Sequence, residues 1–153
     1  MNKEKKNSRY SRLYTQISDL VKEIKNPLSV MATINAVLHH KMDYFYWTGF
    51  YLLSPEGELL VGPYQGPLAC LRLKKDTGVC WASINRAETV IVDDVHEFPG
   101  HIACSEASKS EIVVPVFENG QIRGCLDVDS KSLSSFDEVD RDWLVKISGL
   151  VYR

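Results

Sequence analysis

The side chains in this chain best able to do covalent chemistry are its four cysteines, Cys70, Cys80, Cys104 and Cys125. A thiolate is both a nucleophile and a soft metal ligand, so spacing and setting must separate the two uses. The first three are separated by 10 and 24 positions, with no Cys-x-x-Cys pair and no closely spaced His pair. Those gaps do not fit a zinc knuckle, and no metal is expected. Cys104 ends the run Phe98-Pro99-Gly100-His101-Ile102-Ala103-Cys104, which lacks periodic apolar residues and reads as loop. A loop thiol beside His101 can be partly exposed, and nearby positive charge favours its thiolate. Cys125 lies next to Leu126 and close to Val128 in an apolar run and reads as a small core residue. His39, His40 and His96 show no ligand spacing and are expected to serve local packing or the surface; His101 is expected to hydrogen-bond within its loop or to shape it.

Acids form the second group. Asp127 and Asp129 are two apart in a strand-like run and so share one face. Two carboxylates there repel unless a cation or a proton sits between them. Glu111 opens the strand-like run before them. Trp47 and Tyr51 are four apart and also share a strand face.

These groups need a scaffold, and the chain supplies elements for one. Residues 10–25 carry Tyr14, Ile17, Val21 and Ile24 at helical spacing. Asn26-Pro27 is a cap and first position for a second helix, to about His40. Strands are expected at Tyr44–Leu53 and Glu58–Tyr64 around Ser54-Pro55-Glu56-Gly57, then at Leu68–Leu73 and Thr89–Val92, with a short helix Val79–Arg86 between the last two. A long irregular loop follows from Asp93 to about Lys109. Ser110–Phe117 and Gln121–Asp129 form a hairpin around Asn119-Gly120. A last helix starts at a capping box, Ser135-Phe136-Asp137-Glu138. Hairpin-linked strands with helices at both ends give an α+β layer fold. The sheet is expected to be largely antiparallel, with the terminal helices on one face and the short helix and long loop on the other.

The chain has 153 residues, 18 Lys+Arg against 20 Asp+Glu, and 44% hydrophobic residues. That is one domain with room for a core, and its near-neutral charge argues against a nucleic-acid binder. Residues 1–9 are expected as a flexible basic tail and 10–153 as the domain. No apolar run is long enough to span a membrane, and no signal peptide is evident, so a cytoplasmic protein is expected.

Several stretches together resemble one family. They are Gly78-Val79-Cys80, Phe98–Cys104, Ser108-Lys109-Ser110-Glu111-Ile112-Val113-Val114-Pro115, Trp47-Thr48-Gly49-Phe50-Tyr51, Leu126-Asp127-Val128-Asp129-Ser130, and Cys70 after Gly66-Pro67-Leu68-Ala69. The pattern is similar to the free methionine-(R)-sulfoxide reductases, which are single GAF domains. The resemblance implies that Cys104 is the nucleophile on the sulfoxide sulfur and becomes a sulfenic acid. It implies that Cys70 resolves that acid as a disulfide. For Cys80 an auxiliary thiol, an alternative disulfide partner and a plain small side chain all stay open. It also implies that Glu111, Asp127 and Asp129 bind substrate, one of them meeting the ammonium or donating a proton, and that Trp47 and Tyr51 line the pocket. Backbone N–H groups at Gly78–Trp81 are a candidate carboxylate site at a helix start.

This chain departs from the family at Trp81, usually Gly, and at Ser105, usually Asp. Trp81 is expected to narrow the pocket or cover Cys80. The implied reductant is thioredoxin, fed by NADPH through thioredoxin reductase, with no cofactor bound. A homodimer paired through terminal helices is expected. The competing expectation is a GAF module that senses a small ligand or switches its thiols without turnover.

Overall fold

The computed structural model describes residues 1–101 and 106–153. Helix α1 (Lys3–Val21) begins where the Asn2 side chain accepts from the Lys5 N–H, at 2.9 Å. The expected tail is therefore the first turns of a helix. The reason is non-local: Lys6 is only 3% exposed, and its ammonium lies 2.6 Å from Asp140 and 3.2 Å from Asp137. The Tyr10 hydroxyl donates to the same Asp140 carboxylate. Helix α2 (Pro27–Lys41) starts at the expected cap, with Asn26 Oδ1 accepting from Leu28 and Ser29.

Strands β1 (Trp47–Leu53) and β2 (Leu59–Gln65) form the first hairpin. The expected strand at 68–73 shrinks to β3 (Arg72–Leu73), because only Leu59 and Leu60 of β2 pair with it. Helix α3 (Gly78–Arg86) and β4 (Val90–Val92) follow. In the long loop, Val95–Glu97 makes one 3-10 turn capped by Asp94. The loop base is closed by the Val95 N–H donating to the Lys109 carbonyl, at 2.9 Å. Strands β5 (Ser110–Glu118) and β6 (Gln121–Ser130) form the second hairpin. Asn119 and Gly120 turn it at φ of 50° and 79°, the left-handed region that a two-residue turn demands.

Helix α4 (Glu138–Ser148) does carry a capping box, but two residues later than expected. Asp137 is the cap and Asp140 its reciprocal partner, accepting from the Asp137 N–H at 2.8 Å. Ser135 is used elsewhere, its N–H donating to Ser110 Oγ at 3.2 Å.

The sheet order is β3-β2-β1-β6-β5-β4, antiparallel at every pairing. Strand alternation sends its side chains into two separate cores. Phe50, Ile112, Val114, Leu126 and Val128 pack with α1, α2 and α4. Trp47, Tyr51, Val113 and Cys125 face the other way, with α3. No helix among the described residues is long and apolar enough to cross a membrane.

Candidate active site

Register places the acids. Asp129 lies opposite Trp47 of β1 and opposite Glu111 of β5. Asp127 lies opposite Gly49 and Val113. Three adjacent central strands thus bring Trp47, Glu111, Asp127 and Asp129 to one face, where they line a cleft with Tyr51. Gly49 keeps that face open: a Cβ there would meet Tyr64 Cβ at 2.3 Å and the Trp47 ring at 2.6 Å.

The wall is aromatic. Trp47 packs on Tyr51 with centroids 5.8 Å apart and on Tyr64 at 5.2 Å, both nearly parallel. Its indole N–H donates to the Pro67 carbonyl at 3.1 Å, and the Tyr51 hydroxyl donates to the Cys70 carbonyl at 2.9 Å. Two strand residues therefore pin the segment that carries Cys70 beside the cleft. Burial first, then the Asp127 charge, pushes the Tyr51 hydroxyl well above its usual range, so it stays a donor.

The N-terminus of α3 closes one side. Gly78, Val79 and Cys80 line the cleft, and Thr77 at the cap position makes no side-chain cap bond. The first-turn N–H groups are thus free of a side-chain cap, as an anion site requires. Trp81 is not among the described lining residues, so it does not narrow the cleft as one of the two expectations had it. It is buried, with its indole N–H donating to the Leu73 carbonyl at 3.2 Å.

The floor is acidic and largely buried. Glu111 and Asp127 are each 6% exposed. Burial, then the charges of Asp127 and Asp129, holds the Glu111 carboxyl well above the carboxylate range. Asp129 is raised by burial and by Asp127, against a hydrogen bond from Ser108. Asp127 is also raised by burial, but hydrogen bonds with Glu111 and Cys80 oppose the shift. The upward push is therefore stronger on Glu111 and Asp129 than on Asp127. Asp127 Oδ1 has no hydrogen-bond partner among the described residues. No Lys or Arg is among the described lining residues.

The cysteines separate clearly. Cys70 is disulfide-bonded and partly exposed. Cys80 and Cys125 are free and buried. A hydrogen bond with Cys125, then burial, then the Asp127 charge pushes the Cys80 thiol well up. That environment suppresses the thiolate a nucleophile needs. Cys125 is core, as expected, but on the cleft side of the sheet. Cys104 and Ser105, and with them the expected nucleophile, lie outside the described residues.

His39 pairs with the Thr48 hydroxyl at 3.1 Å and His40 with the Ala36 carbonyl at 2.9 Å, both away from the cleft. His101 lines it, and its backbone N–H donates to Phe98. Ser108, 5% exposed and bonded to Asp129, is a site residue the sequence does not announce. The signal that could have found it is its place at the head of the stretch Ser108–Pro115, although no role is expected for it there.

Residues 30–151 match the GAF domain family. A GAF domain-containing protein A from Dictyostelium discoideum is 45% identical over 99% of this chain and 95% of its own. The free methionine-R-sulfoxide reductase of Escherichia coli is 41% identical over 76% of this chain and 70% of its own. Among solved structures, the free methionine-R-sulfoxide reductase from Neisseria meningitidis, in complex with its substrate, superposes with a TM-score of 0.91 at 39% identity. That match covers 95% of this chain and 87% of the other. A six-stranded antiparallel sheet with an acid-floored cleft defines the class, and the chain belongs to the GAF family, within its free methionine-R-sulfoxide reductase branch.

Proposed function

We propose that this protein reduces free L-methionine (R)-sulfoxide to methionine with its own thiols. The observation that carries the reading is an acid trio, with Glu111 and Asp127 buried and Asp129 half-buried, facing an aromatic wall with no lysine or arginine among the described lining residues. A buried anion needs a cation, and the substrate ammonium supplies it at Asp127. The α3 N-terminus takes the carboxylate. Trp47 and Tyr51 hold the S-methyl end and exclude water.

Cys104 attacks the sulfoxide sulfur as its thiolate, and Glu111 hands a proton to the sulfoxide oxygen. The S–O bond breaks, methionine leaves, and the oxygen ends on Cys104 as a sulfenic acid. The Cys70 thiol condenses with it, forming a disulfide and releasing water. Support for a resolving role is that, among the described cysteines, Cys70 is disulfide-bonded while Cys80 and Cys125 are free. A dithiol reductant of the thioredoxin type then exchanges with the disulfide, itself becoming oxidised.

The deciding assay incubates the protein with each epimer of free methionine sulfoxide, thioredoxin, its reductase and NADPH. Steady NADPH oxidation with the R epimer alone is expected. Background rates with both epimers sink the enzyme reading and leave a non-catalytic sensor.

A further inference from the structure

The cleft floor gathers three potential metal ligands. Cys80 Sγ, one Glu111 oxygen and one Asp127 oxygen all lie within 4.8 Å of one another. Their residues are 4%, 6% and 6% exposed. Asp127 Oδ1 is buried and lacks a hydrogen-bond partner among the described residues, so the set has an unmet acceptor. All three side chains line the cleft, which gives an ion a way in and leaves an open coordination position.

An ammonium can satisfy the carboxylates but makes no use of sulfur. A divalent cation can displace the protons of Cys80 and Glu111 into solvent, and the resulting thiolate beside two carboxylates is a donor set for a borderline ion such as Zn²⁺. Hard cations want oxygen only, so Mg²⁺ and Ca²⁺ fit poorly. We propose that Cys80, Glu111 and Asp127 bind one borderline divalent cation of the Zn²⁺ type, and that this ion excludes the amino acid from the cleft. Cys125 touches Cys80 but is not part of the gathered set. The competition rests on the reading of the cleft as an amino acid site; the metal binding does not.

Co²⁺ is the probe, since a cobalt thiolate bond gives a near-ultraviolet charge-transfer band. The full chain is used as Cys70→Ser/Cys104→Ser, which leaves Cys80 and Cys125 as its only thiols. Circular dichroism checks each variant's fold. One equivalent of Co²⁺ with the band is expected, displaced by Zn²⁺ and not by Mg²⁺. Adding Cys80→Ser abolishes the band, Asp127→Asn weakens binding at least about tenfold, and Cys125→Val keeps both. Absence of the band, its survival in Cys80→Ser, or its loss in Cys125→Val overturns the site. Free methionine should raise the apparent Kd for Co²⁺ in proportion to its concentration; an unchanged Kd overturns the exclusion. If the protein proves not to be a reductase, the cobalt band still stands or falls alone.

Discussion

Cys104 and Cys70 carry opposite expectations in a single turnover. Cys104→Ser should form no methionine from a stoichiometric charge of the R-sulfoxide. Cys70→Ser should form about one equivalent, then stop with thioredoxin present. Quantifying methionine by chromatography reads both. Glu111→Gln should lower kcat by about a hundredfold or more, because the amide cannot give up a proton. Its stability effect has the opposite sign. Glu111 is raised from 4.5 by burial, then by Asp127 and Asp129. A folded value above the unfolded one means stability that is complete below about pH 4.5 and lost as pH rises through the folded value. The variant should therefore melt about 2–4 °C above the parent at pH 8, with the gap shrinking toward pH 5. Thermal scans at both pH values test this. What was legible at this scale was chemistry that obeys a period of two. Asp127, Asp129, Trp47 and Tyr51 share a face because strands alternate, and all four line the cleft. Ser108 was not legible, because a loop serine carries no periodicity. The orientation of Trp81 was not legible either, since it depends on the Leu73 carbonyl eight residues back.

Elements behave differently where a buried charge ties two of them together. Lys6 of α1 and Asp140 of α4 are 134 positions apart in sequence and 2.6 Å apart in space. Asp140 also accepts from Tyr10 and Tyr44 and completes the α4 capping box. Asp140→Ala should cost about 3–5 kcal/mol by stranding the Lys6 charge, measured by urea denaturation. Replacing Lys6 and Asp140 together with Met and Leu should recover much of the loss. This pair explains two misread boundaries at once. A basic N-terminal run looks solvated until its distant partner is known. Ser135 and Asp137 both precede acids at box spacing, and only the contact from α1 chooses between them. The Asn26-Pro27 start and the Asn119-Gly120 turn were legible because each acts within a few residues.

At the scale of the molecule, one sheet separates two cores. Leu144 is fully buried with α1, α2 and α4, behind the sheet from the cleft. Leu144→Ala should cost about 2–5 kcal/mol while KM for the sulfoxide stays that of the parent. A rise in KM alongside the lost stability would show the two faces to be coupled.

The placement of the acids on β5 and β6, and of the aromatic wall on β1, has a consequence for amide exchange. These strands are interior to the sheet, paired on both sides. Their N–H groups should exchange with deuterium only through global opening. The segment 66–77, which holds Cys70 and has ladder pairs with the sheet at Arg72 and Leu73 and a backbone bond from Val61 to Leu71, should exchange through local opening. The acidic floor then keeps its shape while the rim that presents the disulfide opens and closes many times for each unfolding event.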